Sequence, residues 1–194
     1  MNRLLQTLTK EEIQNLKIVE VKKGDTLFFE DEICKNVGLV IKGEIRIVSF
    51  LEDGREIIYN VLADGEMFGN NLIFSSSPNY RGDVIAQEDS LLYLLSKEDL
   101  LSLLKTNNEF LEAYLWTQAE SGKQMNLKIK LLTFINAEDR LLYYLQINHS
   151  KIRYKSISDL AKTLYLSREV LSRLIHKLEK DGVIYIRDKT IVKS

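Results

Sequence analysis

The spacing of apolar residues changes character twice along this chain, and that change limits the folds open to it. Residues 1–15 place Leu4, Leu5 and Leu8 at helical spacing, with Thr9-x-x-Glu12 as a capping box. After Lys17 the period drops to about two. Short apolar runs follow at Ile18–Val21, Thr26–Phe29, Val37–Ile41, Glu44–Phe50, Glu56–Leu62, Asp83–Ala86 and Ser90–Leu95. Gly24-Asp25, Lys42-Gly43, Glu52-Asp53-Gly54, Asp64-Gly65 and Ser75–Pro78 separate them, all of it turn chemistry. Short strands broken by turns in this rhythm predict a β-sandwich or barrel. From Ser96 the period is helical again, so an all-β fold is excluded.

Ser96 caps a short helix carrying Leu100, Leu101, Leu103 and Leu104. A second helix is expected over Asn108–Asn136, roughly 40 Å long at 1.5 Å per residue. Within it Leu111, Leu115, Gln118, Gly122, Met125, Ile129 and Leu132 follow alternating steps of four and three, a heptad seam with a small, polar centre. So long a helix joining two domains has few partners inside one chain, and the seam favours self-association. The expected division is a β-rich domain with flanking helices at 1–107, the long helix at 108–136, and a third part at 137–194.

That third part holds helices at Glu138–Gln146, Ser156–Leu164 and Ser167–Lys180, then a hairpin of Val183–Ile186 and Thr190–Val192 around Arg187-Asp188-Lys189. Ser156 and Ser167 are N-cap residues, and Gly182 stands where a helix end needs positive φ. On the last helix Val170, Leu171, Leu174, Ile175 and Leu178 share one face; Arg168, Glu169, Ser172, Arg173, His176 and Lys177 share the other. An ordinary surface helix has the same periodicity, so the context decides. Helix, helix, turn, helix and hairpin is the order of a winged helix-turn-helix, whose last helix presents its N-terminal residues to base edges.

Charge and composition agree. From Ala137 onward 12 Lys and Arg face 7 Asp and Glu, a balance of +5, which leaves −6 on residues 1–136. A basic end on an acidic body suits a polyanion-binding domain. Cys34 is the single cysteine and His149 and His176 are distant, so no metal cluster is expected. There is no Ser/His/Asp set and no phosphate-binding loop, and an enzyme is not expected. No apolar run approaches a membrane span, the N-terminus lacks a signal-peptide core, and the cytoplasm is the expected location.

These residues together resemble the CRP/FNR family of bacterial transcription regulators over essentially the whole chain. The carriers are SISDLAKTLYLSREVLSRLIHKLEKDGVI with its wing RDKTIV, and GLVIKGEIRIV with GREIIYNVLADGEMFG in the β-rich part. The resemblance implies an α+β fold: a cyclic-nucleotide-binding-like β-roll of jelly-roll type, a long dimerisation helix and a C-terminal winged helix-turn-helix. It implies a homodimer on double-stranded DNA at a palindromic site, controlled by a small-molecule effector, with RNA polymerase as a partner if the protein activates. Arg168, Glu169 and Arg173 match the family's R-E-x-x-x-R reading pattern. An arginine can donate bidentately to guanine and a carboxylate can accept from cytosine, so a TGTGA-like half-site is expected, twice, one helical turn apart. Ser156, Ser158, Ser167, Lys177 and Lys189 are candidates for phosphate contact. The family's Gly in the turn between the two helices is replaced by Tyr165, which implies either a strained left-handed residue or a different turn.

The effector is less legible. Gly65, Glu66 and Gly69 keep the family's phosphate-cradle turn, but Asn70 replaces the acid that holds a ribose hydroxyl, and Tyr80 stands where an arginine should, with Arg81 one residue late. Cyclic AMP is therefore disfavoured. One cysteine excludes an iron–sulfur cluster, and histidines confined to the C-terminal part argue against haem. An unidentified small molecule or constitutive activity without a ligand remains; a pocket, if there is one, is expected near Gly65, Glu66, Gly69, Asn70, Arg81, Met125 and Asn126. The alternative reading is a small-molecule-binding module whose helical tail binds protein and not DNA.

Overall fold

The structure, a computed structural model, describes residues 3–194. The chain opens with α1 (Arg3–Thr7) and α2 (Lys10–Asn15), followed by β1 (Lys17–Val21), β2 (Thr26–Phe28), β3 (Asn36–Lys42), β4 (Ile45–Phe50), β5 (Glu56–Leu62), β6 (Met67–Phe68), β7 (Asp83–Ala86) and β8 (Ser90–Ser96). The Thr9 hydroxyl accepts from the Glu12 amide and the Glu12 carboxylate accepts from the Thr9 amide, so the capping box forms as expected. All strand pairings are antiparallel, in two four-stranded sheets ordered β1-β8-β3-β6 and β2-β7-β4-β5. Val37, Leu39, Val40, Leu92 and Leu95 from the first sheet share one core with Ile45 and Val84 from the second. The two-residue period of the sequence is the signature of those half-buried strands.

Helices follow: α3 (Lys97–Thr106), capped by Ser96, and α4 (Asn108–Thr133). Phe110, Ala113 and Tyr114 of α4 belong to the core beneath the sheets, whereas Leu131 belongs to a second core. The chain accordingly divides into two compact units, one ending at Ala119 and the other starting at Glu120. The division falls inside the long helix instead of at its ends.

The second unit continues with α5 (Ala137–Ile147), β9 (Lys151–Arg153), α6 (Ile157–Thr163), α7 (Arg168–Lys180), β10 (Ile184–Arg187) and β11 (Thr190–Lys193). Its core contains Leu131, Leu141, Leu145, Leu160, Leu164, Leu171, Ile175 and Leu178. Three local expectations change. The long helix stops at Thr133, because Asn136 is extended and leads into α5. The wing is a three-stranded sheet ordered β10-β11-β9, not a two-stranded hairpin: Ile152 pairs with Ile191 in a stretch whose neighbours are basic and exposed. Met67–Phe68 forms a two-residue strand against β3, too short for periodicity to show it.

Candidate nucleic-acid interface and effector region

The Ser167 hydroxyl accepts the Val170 amide at 3.2 Å and starts α7, one residue before Arg168. Leu171, Leu174, Ile175 and Leu178 are buried; Arg168, Glu169, Arg173, His176 and Lys177 are exposed. The helix ends in a Schellman turn. The Val183 amide reaches the Leu178 carbonyl at 2.9 Å, the Gly182 amide reaches that of Glu179 at 3.1 Å, and Gly182 has φ +71°. Arg168 thus stands at the positive end of a helix dipole, where an incoming polyanion is attracted, and Arg173 follows in the second turn. Arg173 is partly pre-set, its Nε donating to the Glu169 carbonyl at 3.4 Å.

The residues expected at phosphates are differently placed. Ser158 is exposed, while the Ser156 hydroxyl is occupied, accepting from the Asp159 amide and donating to its carboxylate at 2.7 Å. Lys189 sits with Asp188 in a two-residue hairpin turn in which both have positive φ, and its Nζ donates to the Lys155 carbonyl at 3.2 Å. Lys177 is ion-paired to Glu138 at 2.9 Å, and that hydrogen bond holds its ammonium above the usual lysine range.

Between α6 and α7, Tyr165 has φ +54°. The Tyr165 amide donates to Lys162 and the Leu166 amide to Ala161, so the turn has the Schellman pattern that normally uses glycine. A side chain there costs of order 1 kcal/mol. Arg140 offsets it, with Nη1 donating to the Leu164 carbonyl at 3.0 Å and the Tyr165 carbonyl at 2.9 Å, and Nη2 to the Phe134 carbonyl at 2.9 Å. Lys128 lies 5.4 Å from the centre of the Tyr165 ring. Sequence reasoning missed Arg140. The available signal was Tyr165 itself, since a non-glycine turn needs something to hold it.

In the first unit, Gly65 and Glu66 form the turn before β6: the Gly65 amide donates to Val40, and the Glu66 carboxylate accepts from Ala63. Gly69 is packed so closely that a Cβ would stand 2.9 Å from the Asn36 carbonyl and from the Cys34 sulfur. Asn70 is engaged by the helix behind it. Its Nδ2 donates to Gln118 Oε1 at 2.6 Å, and Gln118 Nε2 donates to the Tyr114 hydroxyl at 2.9 Å. Gln118, half-buried, is thus engaged with its own domain. Tyr80 is buried, stacked on Phe28 at 4.9 Å, and donates to the Asn36 carbonyl at 3.1 Å; burial pushes its hydroxyl pKa up. Arg81 is exposed. Burial also pushes the Cys34 thiol up, so it is held as the unreactive neutral form.

Along α4, Leu115, Gly122, Met125, Ile129 and Leu132 are exposed and Leu111 is half-buried; Asn126 is exposed beside Met125 in the second unit. Single exposed apolar residues are ordinary; Leu115, Met125, Ile129 and Leu132 instead recur at the heptad spacing that coiled-coil helices use.

Residues 18–107 match the cyclic nucleotide-binding domain. Over 176 residues the chain is 26% identical to the cyclic AMP receptor protein of Thermus thermophilus, spanning 87% of this chain and 80% of the relative. It is 23% identical to the cAMP-activated global transcriptional regulator Vfr of Pseudomonas aeruginosa, over 86% of this chain and 84% of that one. Among solved structures, a CooA variant from Carboxydothermus hydrogenoformans superposes with a TM-score of 0.66 at 17% identity, covering 100% of this chain and 91% of the other, a likeness of fold. No helix among the described residues is long and apolar enough to cross a membrane. A β-rich unit matching the cyclic nucleotide-binding domain over residues 18–107 is followed by a long helix and a helical unit with a three-stranded wing, and over most of its length the chain is similar to the cyclic AMP receptor protein of Thermus thermophilus.

Proposed function

We propose that the protein is a homodimeric regulator that binds a palindromic site in double-stranded DNA through α7. The observation that carries this is the exposed Arg168, Glu169 and Arg173 on the first turns of a helix whose opposite face is buried. Arg168 and Arg173 each have the reach to donate to guanine O6 and N7, and Glu169 to accept from cytosine N4, which fits a TGTGA-like half-site. Ser158 and Lys189, exposed on α6 and the wing, flank that helix in sequence and serve as phosphate contacts that set register. Dimerisation through Leu115, Gly122, Met125, Ile129 and Leu132, with Leu111 at its start, brings two such helices to one duplex. Two half-sites one helical turn apart are the geometric consequence.

The regulating ligand is a small molecule other than cyclic AMP. Asn70 is spent on Gln118, Tyr80 fills core space at the position of the phosphate-binding arginine, and Arg81 is exposed. RNA polymerase is the further partner if the protein activates.

Binding-site selection on random duplexes, repeated from low to physiological salt, tests the DNA reading. Enrichment of a two-fold symmetric site with a fixed G·C pair in each half is expected. Sequences without a G at any fixed position would sink the base-reading assignment, and no binding even at low salt would favour a protein-binding tail.

A further inference from the structure

Arg140 makes three hydrogen bonds, and all three go to backbone carbonyls. Phe134 follows the last residue of α4, and Leu164 and Tyr165 follow α6. These are the places where a helix leaves carbonyls without partners and where its dipole is negative. Among the described residues Arg140 forms no ion pair with a carboxylate. Its charge is held instead by the C-terminal ends of two helices, joined through one planar fork. A lysine is a single point of charge and cannot reproduce that geometry.

The location of the fork is what gives it a consequence. Tyr165 precedes Arg168 by three residues, with only Leu166 and the cap Ser167 between the left-handed turn and α7. Any rotation of the Tyr165 peptide swings the start of α7, where the candidate base readers lie. A glycine turn in this position would be free to settle by itself. Here Tyr165 is held in the left-handed region, and the guanidinium is the group that holds its carbonyl while also holding the carbonyl that ends the long helix.

We infer that Arg140 is the positioning residue of the base-reading helix: it locks the turn before α7 to the exit of the long helix and so sets how Arg168, Glu169 and Arg173 meet the major groove. The inference rests on the DNA-binding reading above. It assigns Arg140 no contact with DNA. Its effect is on discrimination between sites, not on attraction to the polyanion. The long helix's last turn and the recognition helix move as one piece while the fork is intact.

The test uses the full-length protein as wild type, Arg140→Lys, Arg140→Ala and the double variant Arg140→Ala with Tyr165→Gly. Each is measured for affinity to the selected site and to a scrambled duplex, for thermal midpoint, and for amide exchange at Leu166 and Leu171 relative to Ile191. The expected result for Arg140→Ala is a fall of about tenfold or more in the specific-to-scrambled ratio, with scrambled-duplex affinity and its salt slope unchanged. Exchange at Leu166 and Leu171 should quicken while Ile191 stays protected. The double variant, freed of the left-handed side chain, should regain thermal stability without regaining the ratio. If it regains both, Arg140 merely offsets a strained turn and the proposal is overturned. An unchanged ratio in Arg140→Ala and Arg140→Lys also overturns it. Should Arg140→Ala fail to fold, Arg140→Lys and the double variant decide by the same ratio. A wild type without sequence preference removes the DNA reading itself, and is thereby told apart from a selective wild type whose ratio ignores Arg140.

Discussion

Asn70 Nδ2 donates to Gln118 Oε1 at 2.6 Å, tying the segment after the Gly65–Gly69 turn to the long helix within the first unit. Gln118 Nε2 in turn reaches the Asn70 carbonyl at 3.3 Å and the Tyr114 hydroxyl at 2.9 Å, so both ends of its amide are satisfied. Asn70→Ala should destabilise this unit by about 1 kcal/mol, the net worth of an ordinary hydrogen bond, seen as a lower denaturant midpoint with unchanged slope. Because Asn70 is committed to the protein, cyclic AMP should leave the thermal midpoint of the wild type where it is. A ligand present at about 100 times its Kd stabilises by about 2.7 kcal/mol, so a rise of several degrees with cyclic AMP would contradict the effector reading.

Arg168→Ala should weaken binding to the selected site by about 1–3 kcal/mol and relax the preference at one base pair, leaving the rest of the site preference intact. Affinity measured on a panel of singly substituted duplexes checks this. A loss spread evenly over every position would make Arg168 a phosphate contact instead. Ser167→Ala should lower protein stability by about 1 kcal/mol by uncapping α7, without the base-specific signature.

Ile129 is 57% exposed and Met125 59% exposed, on the stretch of α4 where the proposed seam leaves its own domain. A carboxylate placed between two such helices would be buried without a partner. Ile129→Asp should therefore convert the dimer to monomer in analytical ultracentrifugation and, by losing the second half-site, abolish tight binding to the palindrome while sparing binding to scrambled duplex. A variant that stays dimeric would place the interface elsewhere.

The pairing of Lys177 with Glu138 makes a charge-removal experiment informative. Glu138→Gln releases an ammonium on the exposed side of α7, and scrambled-duplex binding should tighten modestly, with a steeper salt dependence by about one phosphate. An unaltered slope would mean that Lys177 stays clear of the duplex even when free.

Acid should loosen the first unit through Glu12. Burial alone would raise its pKa above the ordinary 4.5, but hydrogen bonds from the Thr9 amide, the Asn107 side chain and the Thr9 hydroxyl outweigh it and hold the value lower. Since the folded value is the lower one, this stabilisation is present above about pH 4.5 and is lost as pH falls through the folded value. Denaturant unfolding at pH 7 and pH 4 should show a smaller loss in Glu12→Gln than in wild type. Equal losses would place the acid sensitivity elsewhere.

Residue periodicity alone was enough to separate a β-rich unit from a helical one, to place the caps Thr9, Ser96, Ser156 and Ser167, and to lay out the two faces of α7. Those properties are local: a cap needs only the next three residues, and an amphipathic face needs only its own spacing. Strands as short as Met67–Phe68 and Lys151–Arg153 lie below what a period of two can reveal, and became visible only through their partners in β3 and β11.

What tertiary structure decided was which polar groups are free to act. Nothing adjacent in sequence pairs Asn70 with Gln118, 48 residues away, Lys177 with Glu138, 39 away, or Arg140 with Tyr165, 25 away. Each pairing changes a role that residue type alone would assign. Asn70 braces the long helix, Lys177 is half of an ion pair, and Arg140 clamps a turn, none of which residue type alone reveals. Sequence determines the chemistry a side chain carries, because that is covalent. Whether the chemistry is spent inside the protein or offered to a partner depends on distances that exist only after the chain has folded.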